Sequence, residues 1–354
     1  MRMKKIFATC AVFMLAVTII GCGNDEYSSG SPSVIEEEVK ANLEKARSET
    51  EEEVANRAKQ QMEIAKAKAE AQKQYQNSEV VMNGDVGEVG VASTTRMGTL
   101  IPTYIYFPKQ YNPDNTYPLV IMLAGFSADH NNGTGFDDTT DEMTKNGIMV
   151  VQYDIPGYGK SEESNAAYTL TNVKADALDV IYFVKNNYNI GKVGALGYDV
   201  GGRAVMEIQL DGLYEFDQVE LAAPFCDTKE FINKFFGQKN WSDLRKQATD
   251  NGTVRYGKQE YCLQWFLDWD EKADSLISDY CKKYSKQRSM ILYSTDDDLV
   301  NPITMQDLSK NLGSATICAT YGGHSLGLRG KDSPDEVCLI AKTQSTEFMK
   351  DLID

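Results

Sequence analysis

Side chains that could take part in catalysis occur at three places in this 354-residue chain, namely two acidic sites and one histidine. Asp199 lies between Gly197 and Gly201, after a short apolar run and before a helical pattern, which indicates a carboxylate on a sharp turn between strand and helix. Asp296–Asp298 follow a later apolar run, and His324, one of only two histidines, follows the next one. A carboxylate can act as a nucleophile, and a histidine oriented by an acid can activate water.

The elements around these residues alternate between strand and helix patterns. We predict strands at 99–107, 119–123, 148–153, 193–196, 219–223, 290–294 and 316–320, and helices at 136–146, 166–187, 204–213, 304–311 and 335–352. Residues 77–95 are a connector or a first hairpin. This alternation predicts an α/β fold with a mostly parallel, doubly wound sheet, in which ligands bind beyond the carboxyl ends of the strands.

The stretch Gly197-Tyr198-Asp199-Val200-Gly201 resembles the G-x-S-x-G nucleophile elbow of the α/β-hydrolase family, with aspartate in the usual place of serine. The order of nucleophile, acid and histidine is also that of the family, and the resemblance covers residues 99–354. It implies the α/β-hydrolase fold, with Asp199 as the catalytic nucleophile and His324 as the base.

Two loops add to the resemblance. Leu123-Ala124-Gly125-Phe126 follows a buried strand, and in the family the amide after this glycine belongs to the oxyanion hole. The resemblance therefore implies that the backbone N–H groups of Phe126 and Val200 form that hole. Residues 154–161 match a second family segment, Asp-x-x-Gly-x-Gly-x-Ser, whose role is structural.

The acid that orients His324 is implied to lie within the aspartate run. The spacing back from Val300 and Pro302 favours Asp297, with Asp296 and Asp298 as rivals. The other histidine, His130, reads as a solvated loop residue.

An aspartate nucleophile changes the expected reaction. A carboxylate that attacks an acyl carbon gives an anhydride, whereas attack on an alkyl carbon gives a stable ester that activated water can hydrolyse. The elbow resembles those of haloalkane dehalogenases, fluoroacetate dehalogenases and epoxide hydrolases in this respect. Val200 stands where many of them have tryptophan, so no subfamily is assigned. The alternatives are an inactive binding protein on a hydrolase scaffold and an esterase-type hydrolase.

One segment interrupts the alternation, at residues 226–288. It is rich in aromatic residues and holds all three tryptophans: Trp241, Trp265 and Trp269. The resemblance implies a helical lid here, whose aromatic side chains either line an apolar pocket or form the lid's own core. Tyr256, Tyr261, Tyr280 and Tyr284 are the lid tyrosines that could protonate a leaving group.

Charge and composition limit the partners. The net charge of −16 disfavours nucleic acid, and we expect a small-molecule substrate instead. No cysteine pair has C-x-x-C spacing, so we expect neither a zinc site nor another cofactor. Five cysteines remain once Cys10 and Cys22 are set aside, which leaves at least one free thiol.

The N-terminus has the pattern of a bacterial lipoprotein signal. Basic residues precede the apolar run 6–20, which is short for a transmembrane helix, and Gly21-Cys22 then lead into a polar stretch. The segment resembles a lipobox, which implies cleavage after residue 21, lipidation of Cys22 and attachment to the extracytoplasmic face of the cell envelope. An ordinary secretory signal with a chance cysteine is the alternative.

The rest of the N-terminal region divides by composition. Residues 22–33 form a tether, 34–78 a charged helical stalk without Gly or Pro, and 79–354 the hydrolase domain. The apolar stripe of the stalk is mostly alanine, which favours a solvated helix over a coiled coil that would form a homodimer.

Overall fold

A nine-stranded sheet forms the centre of the protein in the computed structural model, which describes residues 81–83, 85–126, 137–313, 315–321, 323–326 and 335–353. Its strands run in the order β1-β2-β3-β5-β4-β6-β7-β10-β11. They are β1 Val81–Asn83, β2 Val86–Ala92, β3 Leu100–Tyr106, β4 Tyr117–Leu123, β5 Met149–Tyr153, β6 Ile190–Tyr198, β7 Gln218–Ala222, β10 Ser289–Ser294 and β11 Ala315–Thr320.

The sheet is antiparallel at one edge and parallel elsewhere. The pairs β1–β2, β2–β3 and β3–β5 are antiparallel, and every pair from β5 through β4, β6, β7 and β10 to β11 is parallel. The stretch predicted as a connector or a hairpin is thus a hairpin, and the prediction of a mostly parallel sheet is confirmed. All the parallel strands direct their carboxyl ends to one edge, where the predicted site residues lie.

Helices connect the parallel strands or follow the last of them: α1 Asp137–Lys145, α2 Leu170–Asn187, α3 Val200–Leu210, α8 Pro302–Leu312 and α9 Asp335–Met349. Two of them begin four residues away from the predicted start. Helix α2 begins at Leu170, after a 3₁₀ turn, because the Thr169 side chain accepts the N–H of Asn172 and caps it there. Helix α3 begins directly after Asp199, four residues before its predicted start.

The central strands are buried on both faces, as parallel strands between helices must be. In β4, Leu119, Ile121 and Leu123 belong to one hydrophobic cluster, and Val120 and Met122 belong to the other. Each is 0–1% exposed. Burial of such a side chain contributes about 1.5–3 kcal/mol, so β4 holds the centre of the sheet firmly.

The predicted insertion connects β7 to β10 and has its own elements. They are helices α4 Thr228–Phe235, α5 Gln238–Asn251, α6 Leu263–Glu271 and α7 Leu276–Tyr284, with the antiparallel hairpin of β8 Thr253–Tyr256 and β9 Gln259–Cys262. The sequence pattern predicted the helices but not the hairpin. The described cysteines Cys226, Cys262 and Cys281 are free thiols.

The N-terminal predictions lie outside the described residues. The chain divides into two units, 1–62 and 63–354, and every described residue belongs to the second. The signal peptide, the tether, Cys22 and the stalk all fall before residue 81, and His130 also lies outside. Among the described helices, none combines the length and the apolar character that a bilayer crossing requires.

Candidate active site

Asp199 occupies a strained turn between β6 and α3. Its φ of 59° and ψ of −121° lie outside the conformations that side chains other than glycine readily adopt. The turn is tight because a Cβ at Gly197 would lie 2.7 Å from the Gly201 carbonyl oxygen, and a Cβ at Gly201 would collide with the Leu123 backbone. The predicted elbow is therefore present, and it presents the Asp199 carboxylate at the carboxyl edge of the sheet.

The two predicted oxyanion amides both donate to the Asp199 carboxylate. Phe126 N–H donates to Oδ2 at 3.2 Å, and Val200 N–H donates to Oδ1. The approach is close because Gly125 has no side chain, and a Cβ there would lie 2.6 Å from Asp199. The carboxylate thus occupies the position that a substrate oxyanion would take in an enzyme with a serine at the elbow.

His324 lies between two carboxylates. Its Nδ1 lies 2.9 Å from Asp297 Oδ2, and its Nε2 lies 3.8 Å from Asp199 Oδ2, which is an ion-pair distance but too long for a hydrogen bond. The other oxygen of Asp297 accepts the N–H groups of Leu299 and Val300 at 2.8 and 2.9 Å. The structure therefore brings Asp199, His324 and Asp297 together in one line.

The two rival aspartates lie elsewhere. Asp296 accepts the N–H of Gly323 at 3.0 Å, so it holds the backbone of the histidine loop rather than the imidazole ring. Asp298 is exposed to solvent. Of the three, Asp297 is the one whose carboxylate meets His324.

The surroundings of His324 favour its protonated form. Burial alone would lower its pKa, but the interactions with Asp199 and Asp297 outweigh burial and raise the pKa to about 9. At neutral pH the imidazole is therefore a cation between two anions. Loss of either negative charge would lower this pKa and so favour a role of the imidazole as a general base.

Two aromatic residues that sequence reasoning missed hold the histidine in place. The Phe225 ring stacks on the imidazole, with centroids 5.2 Å apart and planes 14° apart, and the Tyr198 hydroxyl donates to the His324 carbonyl at 3.1 Å. Phe225 follows the carboxyl end of β7, and Tyr198 is the last residue of β6. Both residues lie at or just after the carboxyl end of a parallel strand, and this position is the feature of the sequence that could have identified them as site residues.

A cavity of about 730 Å³ lies beside the three residues. Most of its wall is aromatic, with Asp199, His324, Lys258 and Gln259 as its charged and amide groups. The aromatic lining residues are Phe126, Tyr158, Tyr198, Phe225, Phe231, Phe235, Phe236, Tyr256, Tyr261 and Trp265. Such a cavity suits a small, largely apolar molecule that carries a ring.

The structure separates the lid residues that line this cavity from those that do not. Tyr256, Tyr261 and Trp265 line it, so they face the candidate site. Tyr280 and Tyr284 instead donate to Gln209, at 2.8 and 2.7 Å, on the far side of the elbow helix. Those two tyrosines are thus excluded as proton donors to a substrate in this cavity.

Trp269 belongs to the core between the insertion and the elbow helix. Its ring stacks on Phe231 at 3.7 Å, and the buried Arg203 guanidinium lies 4.3 Å from its centroid. Arg203, on α3, also donates to Glu207 at 2.9 Å and to Thr228 of α4 at 2.7 Å. These contacts attach the insertion to the helix that follows Asp199.

The segment 154–161 has the structural role that the resemblance implied. Asp154 is buried and accepts the Tyr104 hydroxyl at 3.0 Å and the Lys160 N–H at 2.9 Å. These bonds close a loop whose Tyr158 ring forms part of the cavity wall.

Within the described part of the chain, no cluster of three or more His, Cys, Asp or Glu side chains is arranged to hold a metal ion.

Comparisons with known proteins give a matching family model and solved structures of similar fold. The family model described as "Serine aminopeptidase, S33" matches residues 117–281. Among solved structures, Est1E from Butyrivibrio proteoclasticus with bound ferulic acid has a TM-score of 0.59 at 17% identity, covering 72% of this chain and 96% of that one. A soluble variant of monoglyceride lipase from Saccharomyces cerevisiae has a TM-score of 0.56 at 13% identity, covering 72% of this chain and 92% of that one. No curated protein matches the chain.

The fold is therefore that of the α/β-hydrolases, as predicted. The esterase Pf2001 from Pyrococcus furiosus has the same fold, with a TM-score of 0.53 at 14% identity over 77% of this chain and 95% of that one. The family model, which matches residues 117–281, describes a hydrolase, and the solved structures share the α/β-hydrolase fold.

Proposed function

We propose that the protein is a hydrolase that cleaves small, ring-bearing apolar substrates at an alkyl carbon, and that Asp199, His324 and Asp297 are its catalytic residues. One observation carries this proposal: His324 contacts both carboxylates at the wall of an aromatic cavity. We also propose that the insertion 226–288 acts as the lid of this cavity. The contribution of Tyr256, Tyr261 and Trp265 to its wall supports that role.

The first bond is made by Asp199 to an alkyl carbon. The reason is chemical, since attack on an acyl carbon would give an anhydride while Asp199 itself holds both oxyanion amides. The new C–O bond forms as the bond from that carbon to the leaving group breaks with its electron pair. The leaving group can be a halide, an epoxide oxygen or, in an ester cleaved on its alkyl side, a carboxylate.

The second step hydrolyses the alkyl ester on Asp199. Ester formation removes one of the two carboxylates that keep His324 protonated, so the histidine pKa falls and the ring gives its proton to the departing group or to solvent. The neutral imidazole then takes a proton from the attacking water and returns it to the alcohol oxygen when the acyl C–O bond of the ester breaks, which restores the Asp199 carboxylate. Asp297 then stabilises the imidazolium that forms. The N–H groups of Phe126 and Val200 stabilise the oxyanion that develops on the Asp199 carbonyl.

Isotope labelling tests this order of events. In a single turnover in heavy-oxygen water, with enzyme in excess, we expect unlabelled alcohol and one labelled oxygen in Asp199, because the product takes its oxygen from the enzyme. The measurement is mass spectrometry of the product and of the peptide that carries Asp199. Label that enters the product directly, with none in Asp199, would contradict the proposed nucleophile.

The same measurement distinguishes a second candidate function, ester hydrolysis at the acyl carbon, which the esterase and lipase neighbours favour. In this mechanism, water activated at His324 attacks the acyl carbon of an ester directly, so the acid product is labelled at once.

A parallel screen of esters, epoxides and haloalkanes identifies the third candidate function, that of an inactive binding protein. That protein would bind ring-bearing ligands and turn none of them over.

We propose further that Cys22 carries a lipid that anchors the protein to the bilayer, on the extracytoplasmic face of the cell envelope, as the sequence 19–22 indicates. The stalk 34–78 would then hold the hydrolase domain away from the membrane, as a solvated helix or as the coiled coil of a homodimer.

Substitution of the lipidation site tests the anchor. Cys22→Ser should leave the precursor unprocessed or release the protein from the membrane fraction, because no thiol remains to accept the lipid. Cell fractionation and the mass of the N-terminal peptide measure both effects, with Cys10→Ser as the control that should change neither. A processed, lipidated Cys22→Ser protein in the membrane fraction would show that the anchor is misassigned.

A further inference from the structure

Glu230 joins the insertion to the loop that carries Asp297. It lies on α4, the first helix of the insertion, and its side chain is half-buried. One oxygen of its carboxylate accepts the N–H of Asn301 at 2.9 Å, and the other lies 3.5 Å from the Thr304 hydroxyl. Both partners belong to the start of α8, the helix that follows the acid loop, residues 297–301. One side chain of the insertion therefore holds the point where this loop ends.

The contact has the form of a capping box whose acid comes from another helix. Asn301 is the N-cap of α8, and its side chain accepts the N–H of Ile303 at 3.0 Å. In a capping box, an acidic or amide residue at the third helical position accepts the N–H of the N-cap residue. Thr304 occupies that position in α8, and the Glu230 carboxylate supplies the acceptor instead. The cap of α8 is therefore complete only while α4 lies against it.

The acid loop itself is held by two carboxylates. Asp297 Oδ1 accepts the N–H groups of Leu299 and Val300, so the three successive amides from Leu299 onward all bind a carboxylate. The other oxygen of Asp297 lies 2.9 Å from His324 Nδ1. The alignment of Asp297 with the imidazole thus depends on the path of the loop, and that path ends on Glu230.

We propose that Glu230 is a positioning residue, which keeps Asp297 aligned with His324 while the insertion packs on α8. The proposal rests on the proposed function in that Asp297 and His324 act in catalysis. It adds that the insertion helps to assemble the site as well as to cover the cavity. Displacement of α4 would remove the acceptor of the N-cap amide, release the loop and weaken the contact between Asp297 and the imidazole.

Titration of His324 tests the proposal and requires no substrate. The chain has only two histidines, so ¹³C labelling of histidine Cε1 in the full chain should give two NMR signals, and the His324→Gln spectrum assigns them. Burial lowers the pKa of His324, but the interactions with Asp199 and Asp297 outweigh burial and raise the pKa to about 9. A less well aligned Asp297 should therefore lower this pKa.

Two variants that both lack the charge of Glu230 isolate the effect of its hydrogen bond. Glu230→Gln keeps an oxygen that can accept the Asn301 N–H, whereas Glu230→Ala does not. Both lose the negative charge that interacts with Asp297, so a difference between them reports the alignment. We expect the pKa of His324 in Glu230→Ala to lie at least about 0.5 below that in Glu230→Gln, a part of the shift that a close opposite charge causes.

Thr171→Ala is the matched control. It removes a hydrogen bond of 2.7 Å from α2 to Asp268 of the insertion, a bond that involves neither α4 nor α8. It should lower the thermal stability but leave the titration of His324 as in wild type. Glu230→Asp keeps the charge and shortens the side chain, so it should lower the pKa of His324 relative to wild type, and it replaces Glu230→Ala if that variant does not fold.

Three results would overturn the proposal: a folded Glu230→Ala protein in which His324 titrates as in Glu230→Gln, a Glu230→Asp protein with the wild-type titration, or a Thr171→Ala protein with an equal fall in the pKa. The expected difference between variants, in a protein that turns over no ester, epoxide or haloalkane, would refute the proposed function alone.

Discussion

Replacing His324 with glutamine should stop turnover after the first bond has formed. We expect kcat to fall about 10²- to 10⁴-fold, because the amide cannot take a proton from water. Attack by Asp199 does not require a base, so the alkyl ester should form and persist. Intact-protein and peptide mass spectrometry should then show a stable adduct of the substrate's alkyl group on Asp199.

The geometry explains why the trap should be effective. The ester carbonyl stays bonded to the N–H groups of Phe126 and Val200, beside a cavity lined mostly by aromatic side chains. Water can approach the ester carbonyl, but the glutamine at position 324 is not a base and cannot remove a proton from it. The glutamine also carries no charge, so the first step proceeds without the cation that pairs with Asp199 in wild type and should be slower.

A matched variant in the same loops serves as the control. Asp298→Asn changes an exposed neighbour of the acid and should leave turnover within about twofold of wild type. Asp297→Asn should also accumulate the adduct. In that variant the adduct should still be hydrolysed, although more slowly than in wild type, because His324 remains. Absence of an adduct in the His324→Gln protein, for every substrate that wild type turns over, would rule out the covalent route.

The residues around Asp199 show how much the sequence could predict. The elbow is local: the glycines at 197 and 201 and the flanking strand and helix patterns lie within about fifteen residues, so spacing alone indicates the turn. The mostly parallel character of the sheet follows from the alternation of strand and helix patterns, because a helix between two strands brings the chain back to run in the same direction. These features do not depend on contacts between distant side chains.

The direction of side chains in the insertion could not be predicted in this way. Trp265 and Trp269 are four residues apart on one helix, yet one lines the cavity and the other packs on Arg203 and Phe231. Likewise, nothing in the local pattern distinguishes Tyr261 from Tyr280. The difference arises from how α6 and α7 pack against the elbow helix, which is a tertiary contact.

Asp199→Ser should exchange one activity for another. The serine side chain is shorter than the carboxylate, so the N–H groups of Phe126 and Val200 become free to bind a substrate oxyanion. His324 also loses one of the two carboxylates that raise its pKa to about 9, so its pKa falls and the neutral base is present at lower pH than in wild type. A serine beside a neutral histidine oriented by Asp297 has the parts needed for acyl transfer.

We therefore expect Asp199→Ser to hydrolyse short aryl esters such as p-nitrophenyl acetate at least about 10²-fold faster than Asp199→Ala, the matched variant without a nucleophile. Its activity on wild-type substrates that are cleaved at an alkyl carbon should fall at least about 10³-fold, as in Asp199→Ala. The rate of the Asp199→Ser protein should rise with pH as His324 loses its proton, with an apparent pKa below 9. An Asp199→Ala protein that keeps full activity would show that Asp199 is not the nucleophile. Equal ester hydrolysis by both variants would show that the two amides do not serve as an oxyanion hole.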